Sequence, residues 1–140
     1  MRNDSGGINL IQVIISFLII SIVSLAIIGH SYYATTQLKN EIIAKQANQL
    51  LYSYTEELNG RLKNDILSAQ EMTGGRREII LYEKRNKVVE GLLRYNPIQI
   101  INVPETTDEI DWFVIKTNVE WKDLFGRNRI IEYKTIQSFY

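Results

Sequence analysis

The chain has 140 residues, of which 45% are hydrophobic and 23% charged, and its sixteen Lys and Arg balance sixteen Asp and Glu. This length accommodates about one domain. The absence of Cys excludes a disulfide scaffold, a thiolate zinc site, an iron–sulfur cluster and a cysteine nucleophile. Zero formal charge and a single histidine, His30, disfavour a large nucleic-acid surface and histidine-based catalysis. We therefore expect a protein that is not an enzyme and that has no cofactor.

The longest apolar segment lies near the N-terminus. Residues 8–29, INLIQVIISFLIISIVSLAIIG, contain no charge and no Pro over 22 positions, and roughly 20 apolar residues are enough to cross a bilayer as a helix. The segment is longer than the apolar core of a cleaved secretory signal, and no small-x-small cleavage site follows it. It predicts a single-pass membrane helix. Arg2 favours a cytoplasmic N-terminus, which would place the rest of the chain outside the cytoplasm.

Residues 30–72 continue the helical pattern as an amphipathic segment. The apolar stripe consists of Leu38, Ile42, Ile43, Ala47, Leu50, Leu51, Tyr54, Leu58, Leu62 and Ile66. This spacing predicts one helix from Ile8 to about Glu71, with Gly29 as a bend and Gly60 tolerated inside it. His30, Tyr32 and Tyr33 then form an aromatic anchor at the membrane interface.

The same stripe admits an alternative. A homodimeric coiled coil through residues 38–66 would make the chain a single-pass, signal-anchored envelope, division or sensor protein with a small extracytoplasmic domain. The spacings fit a heptad repeat only in part, which favours a stripe packed on a sheet of the same chain.

Residues 73–140 are rich in short β-type runs, which predict four or five antiparallel strands. The runs are 77–84, 87–95, 98–103, 112–121 and 129–138. In the fourth run, the alternating residues Phe113, Ile115, Thr117, Val119 and Trp121 should face the helix. The expected fold is α+β: a long N-terminal helix, membrane-spanning in its first half, packed against a small C-terminal antiparallel sheet.

Four polar motifs are candidate sites. The run Gly74-Gly75-Arg76-Arg77 lacks the Lys-Ser/Thr and the preceding strand of a phosphate loop, so it predicts a turn. Asp108, Glu109 and Asp111 lack the alternating ligands and Gly of a calcium loop, so we expect no metal site. Two basic clusters, Lys84-Arg85-Lys87 and Arg127-Arg129, are where nucleic acid would bind, but the neutral chain disfavours nucleic acid as a partner.

The run GGINLIQVIISFLII resembles the processing signal of type IV pilins and type II secretion pseudopilins, and the resemblance covers residues 6–58. In that family a prepilin peptidase cuts after the Gly of a short polar leader, and the new N-terminal residue is methylated. The resemblance implies a leader over 1–7, cleavage between Gly7 and Ile8, and methylation of Ile8. The implied partners are other pilin subunits, the prepilin peptidase, an inner-membrane assembly platform and the lipid bilayer.

Two positions depart from the family pattern. Gln12 stands where most pilins have Glu, the acid thought to pair with the N-terminal amine of a neighbouring subunit. Gln keeps a hydrogen-bond acceptor but loses the charge, which implies a minor, low-copy subunit in which Gln12 serves assembly. Gly6 stands where the family often has Lys or Arg.

A second, shorter resemblance lies in the last two predicted strands. The segment from Phe113 to Trp121, followed by LFGRNRIIEYKT, is similar to the closing hairpin of minor pilins of the V type and of type II pseudopilin I. The resemblance implies a subunit that assembles into, or primes, a type IV pilus or related filament and ends at the cell surface.

Overall fold

A computed structural model describes residues 5–64, 66–84, 87–102 and 111–139. A long helix, α1 (Ser5–Lys63), and a short 3₁₀ turn (Glu71–Thr73) precede five strands. The strands are β1 (Gly75–Lys84), β2 (Lys87–Tyr95), β3 (Gln99–Asn102), β4 (Asp111–Lys122) and β5 (Asn128–Phe139). The predicted α+β fold, a long N-terminal helix with a C-terminal antiparallel sheet, is confirmed.

The chain divides into two compact units, residues 1–39 and 40–140. In the first unit, every Ile, Leu, Val and Phe side chain from 10 to 28 is at least half exposed. By length and composition this part of α1 is able to cross a membrane. Exposing such a continuous apolar surface to water is unfavourable, so this surface needs lipid or other helices around it.

The second unit is built around β4. Strand β5 pairs with β4 along its whole length, from Asp111↔Phe139 to Lys122↔Asn128. The other edge of β4 pairs with β2 through residues 117–121 and with β3 through residues 111–114. Strand β1 pairs with the outer edge of β2. The sheet therefore has four antiparallel positions, one of which is shared end to end by β2 and β3.

Pro97 explains why that position is split into two strands. Asn96 N–H still donates to the Lys116 carbonyl of β4, at 2.9 Å. Proline has no N–H to continue the ladder, and the next N–H, that of Ile98, donates instead to the Met72 carbonyl at 3.0 Å. The predicted strand 98–103 accordingly begins one residue later, at Gln99.

The second half of α1 covers one face of the sheet. Its buried residues Ile43, Ala47 and Leu51 pack with a cluster from the middle of the sheet: Leu81, Val89, Leu93, Val119 and Trp121. Further along α1, Leu58 packs with Tyr95, Ile98 and Ile115. Ile43, Ala47, Leu51 and Leu58 of the stripe thus pack on the sheet of their own chain, as predicted, and are not available to a coiled-coil partner. Four other residues of the predicted stripe are exposed: Leu38, Ile42, Leu50 and Ile66.

The predicted inward face of β4 is confirmed. Ile115, Thr117, Val119 and Trp121 are buried and Phe113 is half-buried. Val114, on the opposite face, is also buried, at 3% exposure.

The predicted end of the helix near Glu71 is wrong, because α1 ends at Lys63. Asn64 closes the last turn, since its backbone N–H and its side-chain Nδ2 both donate to the Gly60 carbonyl. Ile66 is then 62% exposed, and Leu67 takes a place against the core instead. Gly60 lies inside α1, as predicted.

Candidate functional site

The expected processing point lies in the first turns of α1, which begins at Ser5. Gly6 and Gly7 each cost a helix about 1 kcal/mol relative to Ala. The Gly7–Ile8 peptide bond therefore follows two residues that weaken the helix.

Gln12 lies in a shallow groove of about 420 Å³ on the surface of α1, lined also by Val13, Ser16, Phe17 and Ile20. Gln12 and Ser16 are four residues apart and therefore share a face of the helix. Ser21 satisfies its hydroxyl locally, by donating to the Phe17 carbonyl at 2.7 Å. Within the described chain, the side chains of Gln12 and Ser16 form no hydrogen bond. In hydrocarbon an unpaired amide is costly, so this face is suited to hydrogen bonding with a neighbouring helix.

His30, Tyr32 and Tyr33 follow the apolar segment on α1, and all three side chains are exposed. Amphipathic rings of this kind settle at the level of lipid headgroups. Their position fits the expected interfacial anchor.

The two predicted basic clusters share one end of the sheet. Lys84 and Lys87 are paired across the β1–β2 turn; Arg85, between them, lies outside the described residues. Because β2 and β4 are antiparallel, the start of β2 and the end of β4 lie at the same end. The β4–β5 turn, with Arg127, is therefore on the same side of the sheet as Lys84 and Lys87.

A buried carboxylate, that of Asp123, holds the β4–β5 turn. Asp123 Oδ1 accepts the backbone N–H groups of Phe125 and Arg127, both at 2.9 Å. Its Oδ2 accepts the Nε–H groups of Arg127, at 2.9 Å, and of Arg129, at 3.2 Å. Gly126, with a φ of 79°, closes the turn by donating to the Asp123 carbonyl.

The Asp123 carboxylate has a structural role in this turn. Burial acts to raise its pKa, but the hydrogen bonds from Arg127, Arg129 and Phe125 outweigh burial and hold the pKa below its usual value. Across the described residues, no three His, Cys, Asp or Glu side chains gather closely enough to hold a metal ion. Asp108 and Glu109 of the rejected calcium motif lie outside the described residues.

The turn predicted over residues 74–77 is confirmed only at Gly74, because β1 already begins at Gly75 and includes Arg76 and Arg77. Gly74 follows the 3₁₀ turn with a φ of 103°, which favours glycine. Beside this turn, Glu71 pairs with the Arg61 guanidinium and accepts from the backbone N–H and the hydroxyl of Ser68. These hydrogen bonds lower the pKa of Glu71 to about 2.

Two features were not found from the sequence. The hydroxyls of Thr55 and Thr117 meet in the buried interface between α1 and β4, and only the register of these two elements reveals the pair. Phe125 is 37% exposed in the β4–β5 turn, with the Arg127 guanidinium 5.0 Å from its ring centre. Its place in a Gly-containing turn beside basic residues was the available signal.

Comparisons with protein-family models, with curated proteins and with solved structures give no match for this chain.

Proposed function

We propose that this chain is a minor pilin or pseudopilin, an assembly subunit of a type IV pilus or related filament. The observation that supports this most is the division of labour along α1. Its residues 10–28 expose every large apolar side chain, whereas Ile43, Ala47, Leu51 and Leu58 are buried against the sheet of the same chain. One helix thus provides a lateral apolar surface and also the core of a small head.

The proposal assigns the first seven residues as a leader. A prepilin peptidase cuts between Gly7 and Ile8, and Ile8 then carries the methylated amine. The apolar surface of α1 that contacts lipid before assembly contacts neighbouring helices after it, because helix packing and lipid solvation make similar demands on side chains. Before assembly the N-terminus is cytoplasmic, and after assembly it is buried in the filament. The sheet is extracytoplasmic in both states.

Gln12 has the role of setting the register between neighbouring helices in this proposal. Its amide and the Ser16 hydroxyl share one face and are unpaired within the described chain, so a neighbouring helix gains by offering them a hydrogen bond. An amide bonds more weakly than a carboxylate facing an amine. The weaker bond that Gln12 makes suits a subunit present in few copies.

The alternative function, a signal-anchored envelope, division or sensor protein, uses the same membrane helix but keeps its leader. Gly6 favours this alternative, because the pilin family often has a basic residue at that position. Processing separates the two functions, because a signal anchor has no use for a prepilin peptidase.

Substitution of Gly7 tests the proposal in a strain that assembles the filament. Gly7→Leu should leave the leader uncut and remove the chain from the sheared filament fraction, with the chain retained in the membrane. Gly6→Ala is the matched control, because it changes the neighbouring glycine and should still be cut and incorporated. Normal incorporation of an uncut Gly7→Leu chain would overturn the proposal.

A further inference from the structure

One end of the sheet carries a cluster of cationic side chains, called here the basic end. Its members are Lys84, Lys87, Lys122, Arg127 and Arg129. The three lysines are exposed, and within the described residues none of them has a carboxylate within 4.0 Å. Arg127 and Arg129 share the Asp123 carboxylate but keep about half of their side-chain surface exposed.

Acidic groups also lie near the basic end. Asp123 pairs with the two arginines, and Glu83 is the neighbour of Lys84 on β1. Three glutamates, Glu78, Glu90 and Glu120, line a groove of about 560 Å³ together with Lys122 and Arg129 of the basic end, and Glu120 pairs with Arg94 at 3.8 Å. No described carboxylate lies within 4.0 Å of the three lysines, which therefore remain able to bind anions.

An aromatic side chain lies among these cations. Phe125 is 37% exposed in a turn that the hydrogen bonds of Asp123 hold in one shape. A ring with nearby Lys and Arg is the combination that binds a lipid–water interface, because the ring enters the acyl boundary while the charges meet the phosphates. The turn presents this combination without first having to be ordered.

The β4–β5 turn of the basic end is fixed to the second half of α1. Leu124 N–H donates to Asn40 Oδ1 at 2.9 Å, which holds the turn against the first residue of the second unit.

We infer that the basic end docks on anionic phospholipid headgroups of the membrane that holds α1. The inference rests on the membrane-anchored state in the proposed function and extends it: the head is held against the lipid before assembly and must leave the lipid to join a filament. Nucleic acid fits less well, because the chain is neutral overall and the β4–β5 turn offers a single ring, whereas single-strand binding uses aromatic platforms for successive bases.

The test uses the full chain, which has no native Cys. Asn128→Cys places one thiol at the exposed residue paired with Lys122, where a fluorophore reports quenching by spin-labelled headgroups. The chain is reconstituted in vesicles of phosphatidylcholine alone or mixed with phosphatidylglycerol. We expect stronger quenching with phosphatidylglycerol, and its loss when salt is raised from about 0.1 M to about 1 M, because the screening length falls from about 10 Å to about 3 Å.

Charge variants locate the surface. In Lys84→Gln/Lys87→Gln/Lys122→Gln, each lost charge should lower the ratio of docked to free head by about fivefold. The control, Lys63→Gln/Lys116→Gln/Lys134→Gln, removes the same charge from exposed lysines away from the basic end and should dock like the parent chain. Equal losses in both triple variants would overturn the inference.

Two further results would also overturn it. Quenching that is the same in both lipids would show that anionic headgroups are not recognised. A response to a DNA oligonucleotide in phosphatidylcholine vesicles, with none to phosphatidylglycerol, would make the basic end a nucleic-acid site. Alkaline carbonate extraction separates this inference from the proposed function: a chain that is released has no membrane anchor, and both fail, whereas a retained chain with lipid-independent quenching defeats the inference alone.

Discussion

The hydroxyl of Thr55 on α1 lies 2.7 Å from the hydroxyl of Thr117 on β4, in the buried interface of helix and sheet. Thr55 Oγ1 also lies 2.8 Å from the Leu51 carbonyl. When Thr55 donates its single proton to that carbonyl, Thr117 donates to Thr55. The pair thus aligns one position of α1 with one position of β4.

Loss of either hydroxyl should destabilise the head. Thr55→Val leaves Thr117 with only the Tyr133 carbonyl, at 3.5 Å, so we expect a loss of about 1–3 kcal/mol. Thr117→Val should cost less, because Thr55 keeps its bond to Leu51. The double variant should lose less than the sum of the two. Denaturant unfolding followed by tryptophan fluorescence measures the free energy of unfolding of each variant, since both tryptophans, Trp112 and Trp121, lie on β4. Strictly additive losses would show that the two hydroxyls are uncoupled.

A second prediction concerns Asn59, which is 4% exposed and whose amide nitrogen and oxygen have no partner among the described residues. Burying an unpaired amide is costly, so Asn59→Leu should raise the unfolding free energy by about 1 kcal/mol. Asn64→Leu is the control. It removes the Nδ2 bond to the Gly60 carbonyl at the end of α1 and should not stabilise. A clear loss of stability in Asn59→Leu would show that the amide is satisfied in the folded protein.

Gly91 and Gly60 form a contrasting pair. A Cβ on Gly91 would lie 2.8 Å from Cδ1 of Leu81, which is 1% exposed and cannot move aside freely. Gly91→Ala should therefore cost about 1–3 kcal/mol, and adding Leu81→Val should recover part of the loss. Gly60 has open space around its Cβ position within α1, so Gly60→Ala should stabilise by up to about 1 kcal/mol. The same unfolding assay compares them, and a neutral Gly91→Ala would contradict the described packing of β1 on β2.

Glu71 makes the stability of the folded chain depend on pH in the acid range. Hydrogen bonds from Ser68 and Arg61 lower its pKa in the folded chain to about 2, from an ordinary 4.5. Because the folded pKa is the lower one, this contribution is complete above pH 4.5 and is lost as pH falls from there toward 2. Glu71→Gln should flatten this part of the profile of Tm against pH. Identical slopes for Glu71→Gln and the parent chain would rule out this contribution.

The role of Gln12 is tested against Ser21, another polar residue of the apolar segment. Gln12→Leu should reduce incorporation into filaments, because it removes an amide that is free to bond a neighbouring helix. Ser21→Ala should have no effect, because Ser21 bonds to Phe17 of its own helix. The amount of each variant relative to the other subunits in sheared filaments measures incorporation. Equal incorporation of Gln12→Leu and Ser21→Ala would show that Gln12 has no role in assembly.

The sequence predicts local elements better than their partners. The period of Ile43, Ala47, Leu51 and Leu58 predicts the packed face of α1, because burial repeats with the helical turn. The end of α1 escapes the same pattern. Leu58, Leu62 and Ile66 stay in phase, but the helix ends where both the backbone N–H and the side chain of Asn64 donate to the Gly60 carbonyl.

The local sequence pattern does not predict which strands pair. Nothing near residues 95–99 indicates that β2 and β3 share one edge of β4. Likewise Lys84 and Arg127 read as separate clusters, because only the antiparallel order of β2 and β4 brings their turns to one end. The basic end and the Thr55–Thr117 pair are therefore products of topology.

If the chain is a processed filament subunit, its N-terminus must change when the chain is made together with a prepilin peptidase. Intact mass should show loss of residues 1–7 and one added methyl group, with fragmentation placing the methyl on Ile8. A full-length, unmethylated chain, under conditions in which a control prepilin is cut, would contradict the claim and leave a signal-anchored protein.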